Sequence, residues 1–192
     1  MRKIVLGSSS PFRQELLRKL IPEFETSSPD IDETPHPGEQ PEALIARLAL
    51  EKAKAVAAHH NDALIIASDQ VSVLHGQING KPGNRERAFL QLKASSGNTV
   101  TFFTSLCLYD SKTHQSSLVV EPFHVHFREL EDGEIDRYLE KETPFNCAGS
   151  FKSEGLGIAL FSKLEGDDPN ALIGLPLIKL AEMLRNQGIQ IP

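Results

Sequence analysis

The pattern of apolar and polar positions predicts strands and helices that alternate along the chain. Two short, β-prone apolar runs, residues 4–6 and 63–67, indicate buried strands because they contain almost no polar side chain. Apolar spacing and capping residues predict helices that begin at Pro11 and that cover about residues 41–59, 84–94, 132–141 and 175–186.

Two long β-prone segments, residues 99–109 and 117–128, follow one another directly, and residues 71–74 indicate a hairpin arm that turns near Gly76. Residues 158–161 indicate one more strand, whereas 25–41 and 147–157 are predicted loops. Because adjacent strands occur among alternating strands and helices, the predicted fold class is α/β, with a mixed twisted β-sheet flanked by helices.

Composition narrows the class of protein. The 192 residues carry a net charge of −6, which argues against a nucleic acid polymer or an anionic membrane as partner. The uncharged stretches fall short of a membrane span, and the apolar run at residues 4–6 is too short for a signal peptide. The two cysteines, Cys107 and Cys147, show no CxxC spacing. We therefore expect one domain, or at most two small ones, in a reducing, intracellular setting.

Residues 8–13, with the sequence SSSPFR, lie between the first strand and the first helix. A helix N-terminus presents free N–H groups and partial positive charge, and the hydroxyls of Ser8 and Ser10 add donors. Arg13 can hold phosphate oxygens in a bidentate manner. The segment predicts either a phosphate site or a simple N-cap beside a surface arginine.

Lys52 falls in the middle of the apolar face of the helix predicted over residues 41–59. At helical spacing this face also contains Ile45, Leu48, Ala49 and Val56. A lysine in such a position must either extend its ammonium group to solvent or meet a negative partner.

Three further segments contain candidate polar groups. Asp69 and Gln70 end a buried strand, where a carboxylate can activate water directly or through a metal ion, although it can also cap a turn. The acidic residues 30–34 offer hard oxygen ligands for Mg²⁺ or Mn²⁺, or a solvated loop. Lys81, between glycine and proline, is a weak candidate for a phosphate contact.

The remaining motifs are less specific. His124 and His126 share one strand face, but no third metal ligand is near in sequence, so a solvated face is the favoured interpretation. The glycines of residues 149–157 allow close approach of the backbone to a ligand, yet their spacing is not that of a dinucleotide fingerprint.

Taken together and in order, these motifs resemble those of the Maf family of nucleotide pyrophosphatases along essentially the whole chain. Within the family, the chain is most similar to the YceF-like branch of 7-methyl-GTP pyrophosphatases, through Gln70, residues 147–155 and residues 174–176. The family motifs are SSSPFR (8–13), DETP (32–35), EKA (51–53), SDQ (68–70) and GKP (80–82).

The resemblance implies a Maf/ITPase-like fold with a nucleotide cleft, and hydrolysis of the α–β phosphate bond of 7-methyl-GTP. It implies that Asp69 accepts a proton and that Glu33 and Asp69 hold a divalent cation, Mg²⁺ or Mn²⁺. It also implies a cytoplasmic homodimer acting on a small-molecule nucleotide. The resemblance assigns base specificity to Phe12, Gln70 and Glu154. It assigns phosphate binding to Ser8, Ser10, Arg13, Lys52 and Lys81.

The physical chemistry of the substrate agrees with these roles. Methylation at N7 gives guanine a positive charge, which an aromatic face such as that of Phe12 attracts. The guanine edge presents two N–H donors that a carboxylate such as Glu154 can accept.

One departure concerns the first helix. Related sequences often have Trp and then two arginines after the proline, whereas this chain has Phe12, Arg13 and Gln14. We therefore expect weaker stacking on the base and weaker triphosphate binding. Two alternatives stay open: a dTTP/UTP pyrophosphatase of the same family, and a nucleotide-binding regulator of septum formation.

Overall fold

The computed structural model describes residues 2–192 and divides into two compact units. The first unit contains the segment that ends at Asp69 together with Thr104–Glu121 and Asp168–Pro192. The second unit contains Gln70–Phe103 and Pro122–Asp167. Both units are built from segments that are distant in sequence.

Strands and helices alternate along the chain, as the apolar pattern predicts. The strands are β1 (Lys3–Leu6), β2 (Glu25–Thr26), β3 (Ala63–Ala67), β4 (Gln70–Leu74), β5 (Gln77–Asn79), β6 (Thr99–Asp110), β7 (Ser116–Phe127) and β8 (Phe161–Glu165). The helices are α1 (Pro11–Arg18), α2 (Pro41–Ala57), α3 (Arg85–Ser95), α4 (Asp132–Lys141), α5 (Pro169–Ile173) and α6 (Leu177–Asn186). Two short 3₁₀ helices cover Ala148–Ser150 and Leu156–Leu160.

Helix starts are fixed by capping side chains. The Ser10 hydroxyl accepts the Arg13 N–H at the start of α1, where Pro11 supplies no N–H of its own. Asn84 caps α3 in the same way. Glu131 and Glu134 form a reciprocal capping box at the start of α4.

The first unit contains a mixed sheet in which β1 pairs in parallel with both β2 and β3. β3 pairs in antiparallel orientation with β6, and Ile65 lies opposite Tyr109. The predicted fold class, a mixed sheet flanked by helices, is confirmed. Strands β1 and β3 are buried on both faces, which explains their continuous apolar runs.

Successive residues of these strands contact different helices, because side chains alternate across a sheet. One face, including Leu6, Ile66 and Leu108, packs against apolar residues of α1 and α6. The other face, including Val5 and Ile65, packs against the small residues of α2. The first unit is therefore a three-layer arrangement in which α2 covers one side of the sheet.

The second unit has an aromatic core. Phe151 packs edge-to-face against Phe102, Phe127 and Phe161, with ring centroids 5.4, 5.6 and 4.7 Å away. The strand pairs β4–β5 and β7–β8 are antiparallel. Phe151 belongs to the segment of residues 147–157, so this core attaches that segment to β6, β7 and β8.

Some elements differ from the prediction. The strand predicted at residues 158–161 is wrong, because Leu156–Leu160 is a 3₁₀ helix and β8 begins only at Phe161. The predicted loop 25–41 contains the two-residue strand β2, too short to leave an alternating pattern. The short helix α5 was missed, although Asp168 caps it and Pro169 begins it. No helix within residues 2–192 is long and apolar enough to cross a membrane.

We predict that Ile65→Ala lowers the free energy of unfolding by about 2–5 kcal/mol, because it leaves a cavity at a fully buried position of β3. Ile178→Ala, at an exposed position of α6, serves as the control and is expected to change stability by no more than ~0.5 kcal/mol. Urea unfolding of the three proteins measures both values. Equal losses in the two variants would contradict the assignment of β3 to the core.

Candidate active site

Lys52 is buried on the inner face of α2 and faces two carboxylates. Its Nζ lies 3.0 Å from Oε1 of Glu33 and 3.1 Å from Oδ2 of Asp69. Only 7% of the residue is exposed, and its helix neighbours Ala49 and Ala53 are fully buried. Of the two outcomes expected for a lysine on an apolar face, the structure has the negative partner rather than extension to solvent.

Asp69 lies two residues after the end of β3, and Ser105 binds both of its backbone polar groups. The Asp69 N–H donates to the Ser105 hydroxyl at 3.0 Å, and the Asp69 carbonyl accepts the Ser105 N–H at 2.9 Å. Its side chain is 15% exposed, so the carboxylate is accessible although it is bonded to Lys52. An accessible carboxylate in a fixed position is suited to accept a proton.

Glu33 belongs to an acidic loop that Arg47 of α2 holds in place. Arg47 donates to both carboxylate oxygens of Glu39, at 2.7 and 2.8 Å, and to the Thr34 carbonyl at 3.2 Å. Hydrogen bonds from Arg47 hold the pKa of Glu39 at about 2, well below its ordinary value. Asp32 accepts from both the N–H and the hydroxyl of Thr34, which lowers the pKa of Asp32. One helix thus supplies Lys52 and anchors the loop that carries its partner.

Arg13 lies in the first turns of α1, and the Gly174 carbonyl fixes its orientation. The Arg13 Nε donates to this carbonyl at 2.8 Å, and the Ser68 hydroxyl donates to the same oxygen at 3.0 Å. Burial lowers the pKa of Arg13, while the charges of Asp69 and Glu33 act in the opposite direction. Because Nε is engaged with this carbonyl, a phosphate would bind through the outer nitrogens of the guanidinium.

The serines near Arg13 have separate roles in the backbone. The Ser8 hydroxyl accepts the Ser10 N–H at 3.1 Å, and the Ser10 hydroxyl is the N-cap of α1. Ser8 is buried, whereas Ser10 and Phe12 are partly exposed. The N-cap predicted as the alternative to a phosphate site is therefore present.

The other predicted site residues belong to the second unit. Gln70 is the first residue of β4, and Lys81 is exposed in the loop before α3. Glu154 is exposed in the segment that follows the first 3₁₀ helix. Burial raises the pKa of the Cys147 thiol, and the charges of Lys152, Glu154 and Lys81 also act on it.

His124 and His126 each take part in hydrogen bonds with neighbouring side chains. His124 hydrogen-bonds Thr101, and His126 bonds both Thr99 and Glu165. Within the described part of the chain, no group of three or more His, Cys, Asp or Glu residues is arranged to hold a metal ion by itself.

A family model described as Maf-like protein matches residues 3–187. The chain belongs to the Maf family. A protein of Colwellia psychrerythraea named 7-methyl-GTP pyrophosphatase is 56% identical over 191 residues, covering 100% of this chain and 96% of the relative.

Two other relatives carry the same name. That of Nitrosococcus oceani is 57% identical, over 98% of this chain and 94% of its own. That of Alcanivorax borkumensis is 56% identical, over 98% of this chain and 96% of its own. Among solved structures, the Ham1 protein of Staphylococcus aureus aligns with a TM-score of 0.48 and 17% identity, over 66% of this chain and 72% of that protein.

Several residues that position the site of this Maf-family chain were missed by sequence reasoning. Arg47 had a visible signal, because Glu51 lies four residues later on the same helix. Ser105 had none, since its contact with Asp69 joins residues 36 positions apart. In the second unit, Gln91 of α3 donates to the Gly80 carbonyl at 3.0 Å and accepts the Ser150 hydroxyl at 2.5 Å.

We predict that Lys52→Met lowers kcat/KM for nucleotide hydrolysis by roughly 10²–10³-fold, because it removes a fixed positive charge between two carboxylates. Methionine keeps most of the buried volume, so the apolar packing of α2 is retained. Lys54→Met, at an exposed position of the same helix, is the control. Equal activity in the two variants would rule out a role for the Lys52 charge.

Proposed function

We propose that this chain hydrolyses the bond between the α- and β-phosphates of 7-methyl-GTP, giving 7-methyl-GMP and pyrophosphate. One observation supports the chemistry most directly: Asp69, Lys52 and Glu33 meet in a chain whose near-full-length relatives are named for this reaction. The family membership supports the nucleotide, and the fixed Asp69 carboxylate supports the hydrolysis.

In the proposed mechanism, Asp69 accepts the proton of the attacking water. The water oxygen bonds to the α-phosphorus, the bond from that phosphorus to the bridging oxygen breaks, and pyrophosphate leaves with the electron pair. The backbone contacts with Ser105 hold the Asp69 carboxylate in one position, so little reorganisation is needed. Arg13, Lys52 and Lys81 offset the negative charge that develops on the leaving group, and Ser8 and Ser10 contribute donors.

The carboxylates of Glu33 and Asp69, whose negative charge Lys52 offsets in this structure, are suitable ligands for a divalent cation. Glu33 and Asp69 would hold the cation, since Mg²⁺ and Mn²⁺ prefer oxygen ligands and need only one or two carboxylates when substrate phosphates supply the rest. The cation would supply charge neutralisation and polarisation of the phosphates. Mg²⁺ and Mn²⁺ are equally compatible with two carboxylates.

Base selectivity is proposed for Phe12, Gln70 and Glu154. Phe12 offers an aromatic face to the cationic ring, and Glu154 offers a carboxylate to the N–H donors of the guanine edge. Both side chains have exposed surface in the structure, which supports contact with a ligand.

The family resemblance also supports three assignments about the whole protein. We propose that residues 1–192 function as one Maf-like domain, that the chain forms a homodimer, and that it acts in the cytoplasm on a small nucleotide. The dimer is tested by sedimentation of the purified chain.

We predict that the protein with Mg²⁺ or Mn²⁺ releases pyrophosphate from 7-methyl-GTP faster than from GTP, dTTP, UTP or CTP. Asp69→Asn and excess chelator are each expected to lower the rate by at least roughly 10²-fold, because they remove the proton acceptor and the cation. Preference for dTTP or UTP would overturn the substrate but keep the chemistry. No turnover of any nucleotide would favour the regulator.

We predict that Glu154→Gln narrows the ratio of kcat/KM for 7-methyl-GTP over CTP by roughly tenfold or more, because a charged acceptor for two N–H donors is lost. The kcat for CTP is expected to stay near that of the unaltered protein. Glu140→Gln, exposed on α4 of the same unit, is the control. Equal losses on both nucleotides would contradict the role of Glu154 in base selectivity.

A further inference from the structure

The segment Lys152–Gly157, which carries Glu154, is tightly folded although it has no regular strand. The Gly155 N–H donates to the Lys152 carbonyl at 3.2 Å, and the Ile158 N–H donates to the Gly155 carbonyl at 3.4 Å. A Cβ at Gly157 would overlap the Lys152 carbonyl oxygen. The segment therefore depends on glycine at this position and turns back on itself with Glu154 on its exposed side.

Two side chains at the C-terminal end of α4 hold both ends of this turn. The Tyr138 hydroxyl accepts the Lys152 N–H at 3.0 Å, two residues before Glu154. Oε1 of Glu142 accepts the Leu156 N–H at 2.9 Å, two residues after Glu154. Tyr138 and Glu142 are four residues apart, so they lie on one side of the helix end.

The contacts of Glu142 and Tyr138 leave little freedom to the turn. A Cβ at Gly155 would overlap Oε1 of Glu142, so this carboxylate lies directly against the turn. Tyr138 is buried, and burial, together with its interaction with the Glu142 carboxylate, raises its pKa, so the hydroxyl stays neutral. Neither side chain was expected to have a role from the sequence.

We propose that Tyr138 and Glu142 are positioning residues for base selectivity: they clamp Lys152 and Leu156 and thereby fix the direction of the Glu154 carboxylate. The proposal rests on the proposed function, in which Glu154 binds the guanine edge. A carboxylate that reads two N–H donors must hold its angle as well as its distance, since hydrogen bonds weaken steeply when they bend. Without these two hydrogen bonds, the turn would present the same negative charge but would not align it with the N–H donors of the base.

The test compares kcat and KM for 7-methyl-GTP and for CTP in Tyr138→Phe, Glu142→Ala and Glu142→Gln, with Glu140→Ala as the control on the exposed side of α4. Tyr138→Phe and Glu142→Ala are expected to raise KM for 7-methyl-GTP roughly tenfold, the effect of about one hydrogen bond, with little change in kcat or in either constant for CTP. Glu142→Gln keeps an oxygen acceptor for the Leu156 N–H, so it should restore most of the selectivity.

Four outcomes would overturn the clamp. Equal losses on 7-methyl-GTP and CTP would indicate a structural role only, and so would a fall in melting temperature that tracks the loss of activity. Unchanged selectivity in Tyr138→Phe and Glu142→Ala, together with narrowed selectivity in Glu154→Gln, would reject the clamp and leave the proposed function intact. Unchanged selectivity in Glu154→Gln itself would reject both the clamp and the role of Glu154. If Glu142→Ala does not fold, the selectivity of Tyr138→Phe for 7-methyl-GTP over CTP tests the clamp by itself.

Discussion

A buried ammonium group is the constraint on which the first unit depends. Lys52 lies in the apolar layer between α2 and the sheet, where an unpaired charge costs several kcal/mol. Two carboxylates, from segments before and after α2, meet it there, so the acidic loop must fold back onto the helix and β3 must end close to Asp69. Arg47 holds the acidic loop against the helix, and Ser105 fixes the backbone of Asp69. The electrostatics of one lysine therefore link the packing of the core to the placement of the proposed proton acceptor.

In both units, hydrogen bonds between side chains and the backbone hold loops that have few regular hydrogen bonds. In the first unit, the Gly174 carbonyl accepts hydrogen bonds from the side chains of Arg13 and Ser68. The buried Asp168 carboxylate accepts the backbone N–H groups of Asn170 and Ile178, which lie on either side of this turn. In the second unit, side chains of α3 and α4 bind backbone groups of the loops that carry the proposed phosphate and base contacts. Glu33, Lys81 and Glu154 of the proposed site are thus on loops, and side chains of α2, of α3 and of the C-terminal end of α4 bind the backbone of those loops.

The apolar pattern predicted the major strands and helices, because burial on one or both faces leaves a clear period in the sequence. It also singled out Lys52, since a charge on an apolar face requires an explanation. It failed for β2 and α5, which are too short to show a period, and for the 3₁₀ helix at Leu156–Leu160, whose apolar run imitates a strand. The positioning residues were beyond its reach for another reason: contacts such as Ser105 with Asp69 depend on which distant segments the fold brings together, and local spacing does not record them.

A double-mutant cycle tests most directly whether Lys52 acts through the carboxylates to which it is bonded. Pyrophosphate release is measured in single turnovers, with excess enzyme and labelled nucleotide, for the unaltered protein, Lys52→Met, Asp69→Asn and the double variant. If Lys52 and Asp69 form one unit, the double variant is about as slow as Asp69→Asn alone, because groups that act together are not additive. Losses that multiply in full would show that the two residues act independently, and the account of the site would then be wrong.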